Sequence, residues 1–102
     1  MPKNKINKIN GNRQALRPVH VEFTHPTART VVIAGTFNEW RPEVTPMVSV
    51  GQGRWLKELV LPPGTYEYLF VAEGKWIPDP NAQGTVPNPF GGVNSLLKVS
   101  NP

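Results

Sequence analysis

The chain has 102 residues, a length typical of one domain, with 11 Lys and Arg against 7 Asp and Glu and a formal net charge of +4. It contains no cysteine, which excludes a disulfide framework and a thiolate metal site. No apolar run approaches the length of a membrane span, and the basic N-terminus lacks the apolar segment of a secretory leader. We therefore expect a cytoplasmic protein with no membrane partner.

The positive charge is concentrated at one end of the chain. Residues 1–17 hold five basic residues and no acid, whereas residues 18–102 hold six basic and seven acidic residues. The first segment is polar and rich in Asn and Lys, which predicts a disordered basic tail; it is either a solvated leader or an arm for phosphate or a partner. The near-neutral remainder, residues 18–102, lacks the basic surface that nucleic-acid binding requires, so we expect no nucleic-acid partner.

From Pro18 onward, apolar and polar residues alternate, which is the pattern of half-buried β-strands. Turn-forming residues separate the alternating runs, as in Gly51-Gln52-Gly53 and Pro62-Pro63-Gly64. Six to eight short strands without a helical period predict an all-β sandwich. In chain order, the strands are predicted over 19–24, 30–34, 47–50, 55–61, 66–71 and 94–99.

Two longer segments, 37–46 and 77–92, are predicted to be loops. The first contains Pro42 and Pro46, and the second has 16 residues, four of them proline. Loops of that length are uncommon in a compact domain and are often functional.

No sequence pattern supports catalysis or metal binding. His20 and His25 are five residues apart, which on a strand places them on opposite faces and makes them poor shared ligands. The acids are scattered singly, and Asp79 lies between prolines, where an Asx turn is expected. There is no triad spacing, phosphate-binding loop or dinucleotide fingerprint. We therefore expect a non-catalytic protein without a metal or a cofactor.

The aromatic residues divide into two groups. Trp40 and Trp76 lie just past strand-like runs, in polar segments rich in turn residues. Each is either a cap on the end of the sandwich or an exposed platform for another flat apolar face. Four other aromatic residues are predicted to lie in the core: Phe37, Trp55, Tyr68 and Phe70.

A glucose ring offers an apolar face of C–H groups and a rim of hydroxyls, so it suits an aromatic platform with polar groups at its edge. Aromatic contacts add roughly 0.5–1.5 kcal/mol beyond area burial, and a rim hydrogen bond adds about 1 kcal/mol. Such a site is weak on its own and becomes effective through multivalency on a polymer. Stacked nucleobases are the alternative ligand for such a platform. Base-binding grooves carry positive charge, however, and the near-neutral residues 18–102 lack it.

The chain also resembles a known family over residues 18–99. The shared elements are GTFNEW (35–40), GRWLKELVLPPGTYEYLFVAEGKW (53–76), DP (79–80) and VN (93–94). They resemble the family 48 carbohydrate-binding modules, and especially the glycogen-binding domain of AMP-activated protein kinase β subunits. The resemblance implies an immunoglobulin-like β-sandwich of about seven short antiparallel strands. It also implies a non-catalytic module for α-1,4-glucan, either a polysaccharide such as glycogen or starch or a maltooligosaccharide.

The resemblance assigns roles to four residues of this chain. Trp40 and Trp76 would stack on the glucan, and Asn94 would hydrogen-bond it. Phe90 would project from the long loop, where the kinase pattern has leucine.

Two positions depart from the family pattern. Leu69 stands where the family has a sugar-contacting lysine, and Gly92 stands where it has threonine. Stacking by Phe90 is a candidate replacement for part of the lost contacts. Lys75, beside Trp76, is either a solvated turn lysine or a substitute donor. The departures keep a second hypothesis open, a protein-interaction or regulatory module of the same fold with weak or lost glycan binding. A third hypothesis is an enzyme fragment or accessory domain.

Overall fold

The computed structural model describes residues 15–101. The first fourteen residues of the predicted basic tail lie outside this range. Within it, none of the helices is long and apolar enough to cross a membrane. Two 3-10 helices occupy Thr36–Asn38 and Pro42–Val44. The strands are β1 (Arg17–Thr24), β2 (Val31–Gly35), β3 (Val48–Gly51), β4 (Arg54–Leu61), β5 (Gly64–Ala72), β6 (Lys75–Ile77), β7 (Thr85–Pro87) and β8 (Val93–Val99).

The strands form two antiparallel sheets. The three-stranded sheet has the order β1-β4-β3, and the five-stranded sheet has the order β2-β5-β8-β7 with β6 also paired to β5. The predicted all-β sandwich is confirmed, with eight strands in the described range. β3 is an edge strand, and all four of its residues are exposed.

The core lies between the sheets because alternate residues of each strand point inward. Phe23 of β1 stacks on Phe70 of β5 with ring centroids 4.3 Å apart, which joins the two sheets. The core positions predicted for Trp55, Tyr68 and Phe70 are confirmed, since all three are buried. Phe37 is partly buried and packs against the edge of this core.

The two predicted loops contain more structure than the sequence indicates. Segment 37–46 includes most of two 3-10 helices, and segment 77–92 includes β7 and the end of β6. Trp76 therefore lies within a strand, paired opposite Val71 of β5, rather than just past one. Three-residue strands are too short to show a two-residue period, and Pro87 is tolerated because β7 is an edge strand.

A partly buried polar contact holds the start of the long segment against the core. The Tyr68 hydroxyl donates to Asp79 Oδ2 at 2.5 Å, and the Asp79 N–H donates to Ser95 Oγ at 2.8 Å. Burial and the neighbouring carboxylate raise the pKa of Tyr68 well above its usual value. The predicted Asx turn is confirmed, because Asp79 Oδ1 accepts the Asn81 N–H at 2.8 Å.

Candidate functional site

The outer face of the five-stranded sheet carries a concave cavity of about 790 Å³. Glu67 and Leu69 of β5 reach this face because they alternate with the inward-facing Tyr68 and Phe70. The cavity is lined by Trp40, Glu67, Leu69, Trp76, Pro78, Asn88, Pro89, Phe90, Gly92, Val93 and Asn94.

The structure brings all four sequence-predicted site residues together around this cavity. Trp40 is half-buried, Trp76 is 48% exposed and Phe90 is 93% exposed, whereas Asn94 is only 9% exposed. In the described part of the chain, none of the close aromatic pairs includes one of these three rings. None of the three rings is therefore stacked on another aromatic side chain of the described range.

Trp40 is presented by the tight turn that follows β2. A Cβ on Gly35 would lie 2.4 Å from the Glu67 carbonyl oxygen, so only glycine fits where the turn crosses β5. The Trp40 N–H donates to the Gly35 carbonyl at 2.9 Å and closes the turn. Glu39 and Trp40 both have φ of 58°, a left-handed conformation that is uncommon for residues with a side chain.

Asn38 stabilises this turn with its side chain. Its Oδ1 accepts the Gly35 N–H at 3.0 Å, and its Nδ2 donates to the Ile33 carbonyl at 3.0 Å and to Thr45 Oγ1 at 2.9 Å. All three bonds are partly buried, so water competes weakly for them. The asparagine of the GTFNEW motif thus holds the backbone that carries Trp40.

Phe90 lies at the tip of the hairpin between β7 and β8. Asn88 Oδ1 accepts the N–H groups of Phe90 at 3.0 Å and Gly92 at 3.1 Å. The Asn88 N–H donates to the Gly92 carbonyl at 2.9 Å, and Gly91 takes a positive φ of 86°. These bonds hold a hairpin whose tip places an aromatic ring in solvent.

A chain of polar side chains runs along one side of the cavity. Asn94 Nδ2 donates to Glu67 Oε1 at 3.0 Å, and Asn88 Nδ2 donates to Asn94 Oδ1 at 3.1 Å. Sequence reasoning missed Glu67 and Asn88 as site residues. Glu67 could have been found from its outward position on a strand whose other face is aromatic; Asn88 carries no comparable signal.

The two departures from the family pattern both lie in the cavity wall. Leu69 is 9% exposed and makes the sheet surface beneath the cavity apolar. A Cβ on Gly92 would meet its nearest atom, Asn88 Nδ2, at 3.6 Å, so a side chain fits there. Lys75 does not line the cavity, because it alternates with Trp76 along β6 and points to the other side. The exposed position of Lys75 fits the solvated turn lysine and not the substitute donor.

The histidines lie outside the cavity and serve local structure. His20 is exposed and pairs with Glu58 at 3.1 Å. His25 Nδ1 accepts the N–H groups of Thr27 and Ala28. Across residues 15–101, no three His, Cys, Asp or Glu side chains are grouped closely enough to hold a metal ion.

Comparison with known proteins places the chain among the carbohydrate-binding modules. Residues 17–102 match the family model described as the glycogen recognition site of AMP-activated protein kinase, and the chain belongs to this family. The resemblance found in the sequence is confirmed.

Similar proteins include kinase β subunits and a phosphoglucan phosphatase. The chain is 29% identical over 86 residues to the human 5'-AMP-activated protein kinase subunit beta-2, covering 84% of the chain and 30% of the subunit. It is 28% identical over 81 residues to an amyloplastic phosphoglucan phosphatase of Castanea sativa, covering 79% of the chain and 22% of the phosphatase. The chain therefore spans less than a third of each of these two relatives.

Among solved structures, a maltogenic amylase from S. marinus contains a similar fold. The TM-score is 0.67 at 21% sequence identity, over 83% of this chain and 14% of the amylase chain. This likeness supports the β-sandwich architecture.

Proposed function

We propose that the cavity binds α-1,4-linked glucan without catalysis, and that Trp40 and Trp76 are the stacking platforms. The observation that carries the proposal is that two tryptophans and Phe90, from three separate segments, line one open cavity on the outer face of the sheet. Family membership supports a carbohydrate ligand. Glycogen, starch-like chains and maltooligosaccharides all present the required surface.

The size and composition of the cavity suit a short stretch of sugar chain. Ligand cavities commonly measure roughly 300–1,000 Å³ and are mostly apolar with a few oriented polar groups. The volume of about 790 Å³ falls in that range. Leu69 and the aromatic rings supply the apolar surface, and Glu67, Asn88 and Asn94 supply the polar side.

Asn94 retains capacity for a sugar hydroxyl. An amide nitrogen carries two hydrogens, and the one directed to Glu67 leaves a second donor. Phe90 adds a third aromatic surface at the hairpin tip. With few polar contacts available, we expect each site to bind weakly and the protein to gain affinity on a branched polymer through multivalency.

The test is a calorimetric titration of the protein with maltooligosaccharides from maltotriose to maltoheptaose, combined with electrophoresis through gels that contain glycogen. We expect affinity to rise with chain length until the cavity is filled, and glycogen to retard the protein. Cellooligosaccharides of the same lengths are the matched control, because their β-linked chains are straight and present the sugar faces differently. Absence of both heat and retardation would refute the proposal.

That negative result would favour the second hypothesis, a protein-interaction module of the same fold. The apolar Leu69 beneath the cavity and the 93% exposure of Phe90 are the observations behind it. Exposed aromatic side chains beside apolar surface are typical anchors of protein interfaces. Retention of sugar binding with the expected length dependence would count against it.

A further inference from the structure

The cavity carries a single formal charge, and it is negative. Of the described residues that line it, Glu67 is the one with an ionisable side chain. Two basic residues are next to the cavity tryptophans in sequence, but neither lies in the cavity wall. Arg41 is paired with Glu39 at 2.8 Å, and Lys75 points to the other side of β6.

We propose that Glu67 determines specificity: it favours neutral glucan and disfavours glucan that carries phosphate or another anionic group. The inference rests on the proposed function and names the chemical class of glucan that the cavity accepts. Leu69 lies two residues from Glu67 on the same face of β5 and is uncharged, so no cation at this position offsets the negative charge of the Glu67 carboxylate.

The hydrogen-bonding chemistry of the polar side supports this selection. A carboxylate accepts hydrogen bonds and donates none, so Glu67 can accept from sugar hydroxyls while Oε1 remains bonded to Asn94. Hydrogen bonds to an ionised acceptor are stronger than neutral ones. A phosphate group also presents acceptor oxygens and negative charge. The Glu67 carboxylate would repel it and has no hydrogen to donate to it.

The expected discrimination is modest and depends on salt. Two negative charges a few ångströms apart at a partly hydrated surface repel by an amount that corresponds to a roughly threefold to tenfold difference in Kd at low ionic strength. Raising the salt concentration shortens the screening length and should reduce that ratio.

Glu67→Gln is the informative variant. Glutamine has nearly the same shape, and its carbonyl still accepts the Asn94 amide, so the polar chain should be retained. The matched control is Glu58→Gln, which removes one exposed carboxylate from β4 of the other sheet. The control changes the net charge by the same amount as Glu67→Gln, so it reports any effect of overall charge.

The experiment compares maltoheptaose with maltoheptaose that carries one phosphate monoester on O6 of an internal glucose, using the full chain. We expect the wild type to bind the neutral sugar more tightly, Glu67→Gln to bring the two Kd values together, and Glu58→Gln to preserve the wild-type ratio. A Glu67→Gln ratio equal to that of the wild type overturns the inference while the proposed function stands. Failure of the wild type to bind even neutral maltoheptaose overturns both.

Discussion

Replacing Trp76 with alanine should remove most glucan binding while the domain stays folded. A tryptophan side chain has about 150–250 Å² to bury, and Trp76 is 48% exposed, which leaves about 100 Å² for a ligand. A sugar that covers half of this area gains about 1.2 kcal/mol at about 25 cal/mol per Å². Stacking geometry adds roughly 0.5–1.5 kcal/mol. The total of about 2 kcal/mol corresponds to a roughly 30-fold increase in Kd.

Trp55→Ala is the matched control for stability. Trp55 is 8% exposed and lies in the core, where removal of a large aromatic side chain costs about 3–5 kcal/mol. That is a large share of the roughly 5–15 kcal/mol that holds a small domain folded. Trp76→Ala should therefore lower Tm by much less than Trp55→Ala.

The assay combines thermal unfolding followed by circular dichroism with calorimetric titration of maltoheptaose. If Trp76→Ala lowers Tm as much as Trp55→Ala does, Trp76 is a structural cap and the stacking argument fails. If Trp76→Ala keeps both Tm and affinity, the ring is not the platform.

Four other substitutions test separate parts of the structure. Asn38→Ala should lower the free energy of unfolding by about 2–3 kcal/mol, because it breaks three partly buried hydrogen bonds. It should also weaken sugar binding, since these bonds hold the turn that carries Trp40. Urea unfolding that matches the wild type would contradict the stability prediction. Leu69→Lys and Gly92→Thr should each tighten maltoheptaose binding about fivefold by adding one hydrogen bond of about 1 kcal/mol; unchanged titrations of both would show that these positions do not contact the sugar. Glu73→Gln should reduce the loss of stability in acid, measured by urea unfolding near neutral pH and in acid; an acid loss equal to that of the wild type would exclude this carboxylate as a contributor.

The sign of the acid effect follows from the contacts of Glu73. Its Oε2 accepts the N–H groups of Arg29 at 2.9 Å and Thr30 at 3.2 Å, and these bonds lower the pKa of the carboxyl group. A group whose native pKa is lowered stabilises the fold above its ordinary pKa, and this stabilisation is lost as the pH falls through the lowered value.

Much of the fold could be predicted from local pattern. Alternation is clear in β1, β4 and β5 because each has at least eight residues, enough for a two-residue period to be read. β6 and β7 were missed because each has three residues and forms only by pairing with a longer strand. Their existence depends on partners distant in sequence, which no local window contains.

The site was predicted unevenly for the same reason. Trp40, Trp76, Phe90 and Asn94 were singled out from the sequence and its family resemblance, and all line one cavity. The hydrogen bond between Asn94 and Glu67 was not predicted, because it joins two strands whose residues are 27 positions apart in sequence.

The sequence by itself determined the class of fold, since alternation and turn residues are local properties. It also distinguished the tryptophans in polar, turn-rich segments from the aromatic residues expected in the core. The tertiary structure decided which side chains share a surface. It placed Lys75 away from the cavity and brought Glu67 into its wall. The physical reason is that strand pairing fixes which face each residue occupies, and a one-residue difference in register reverses that face.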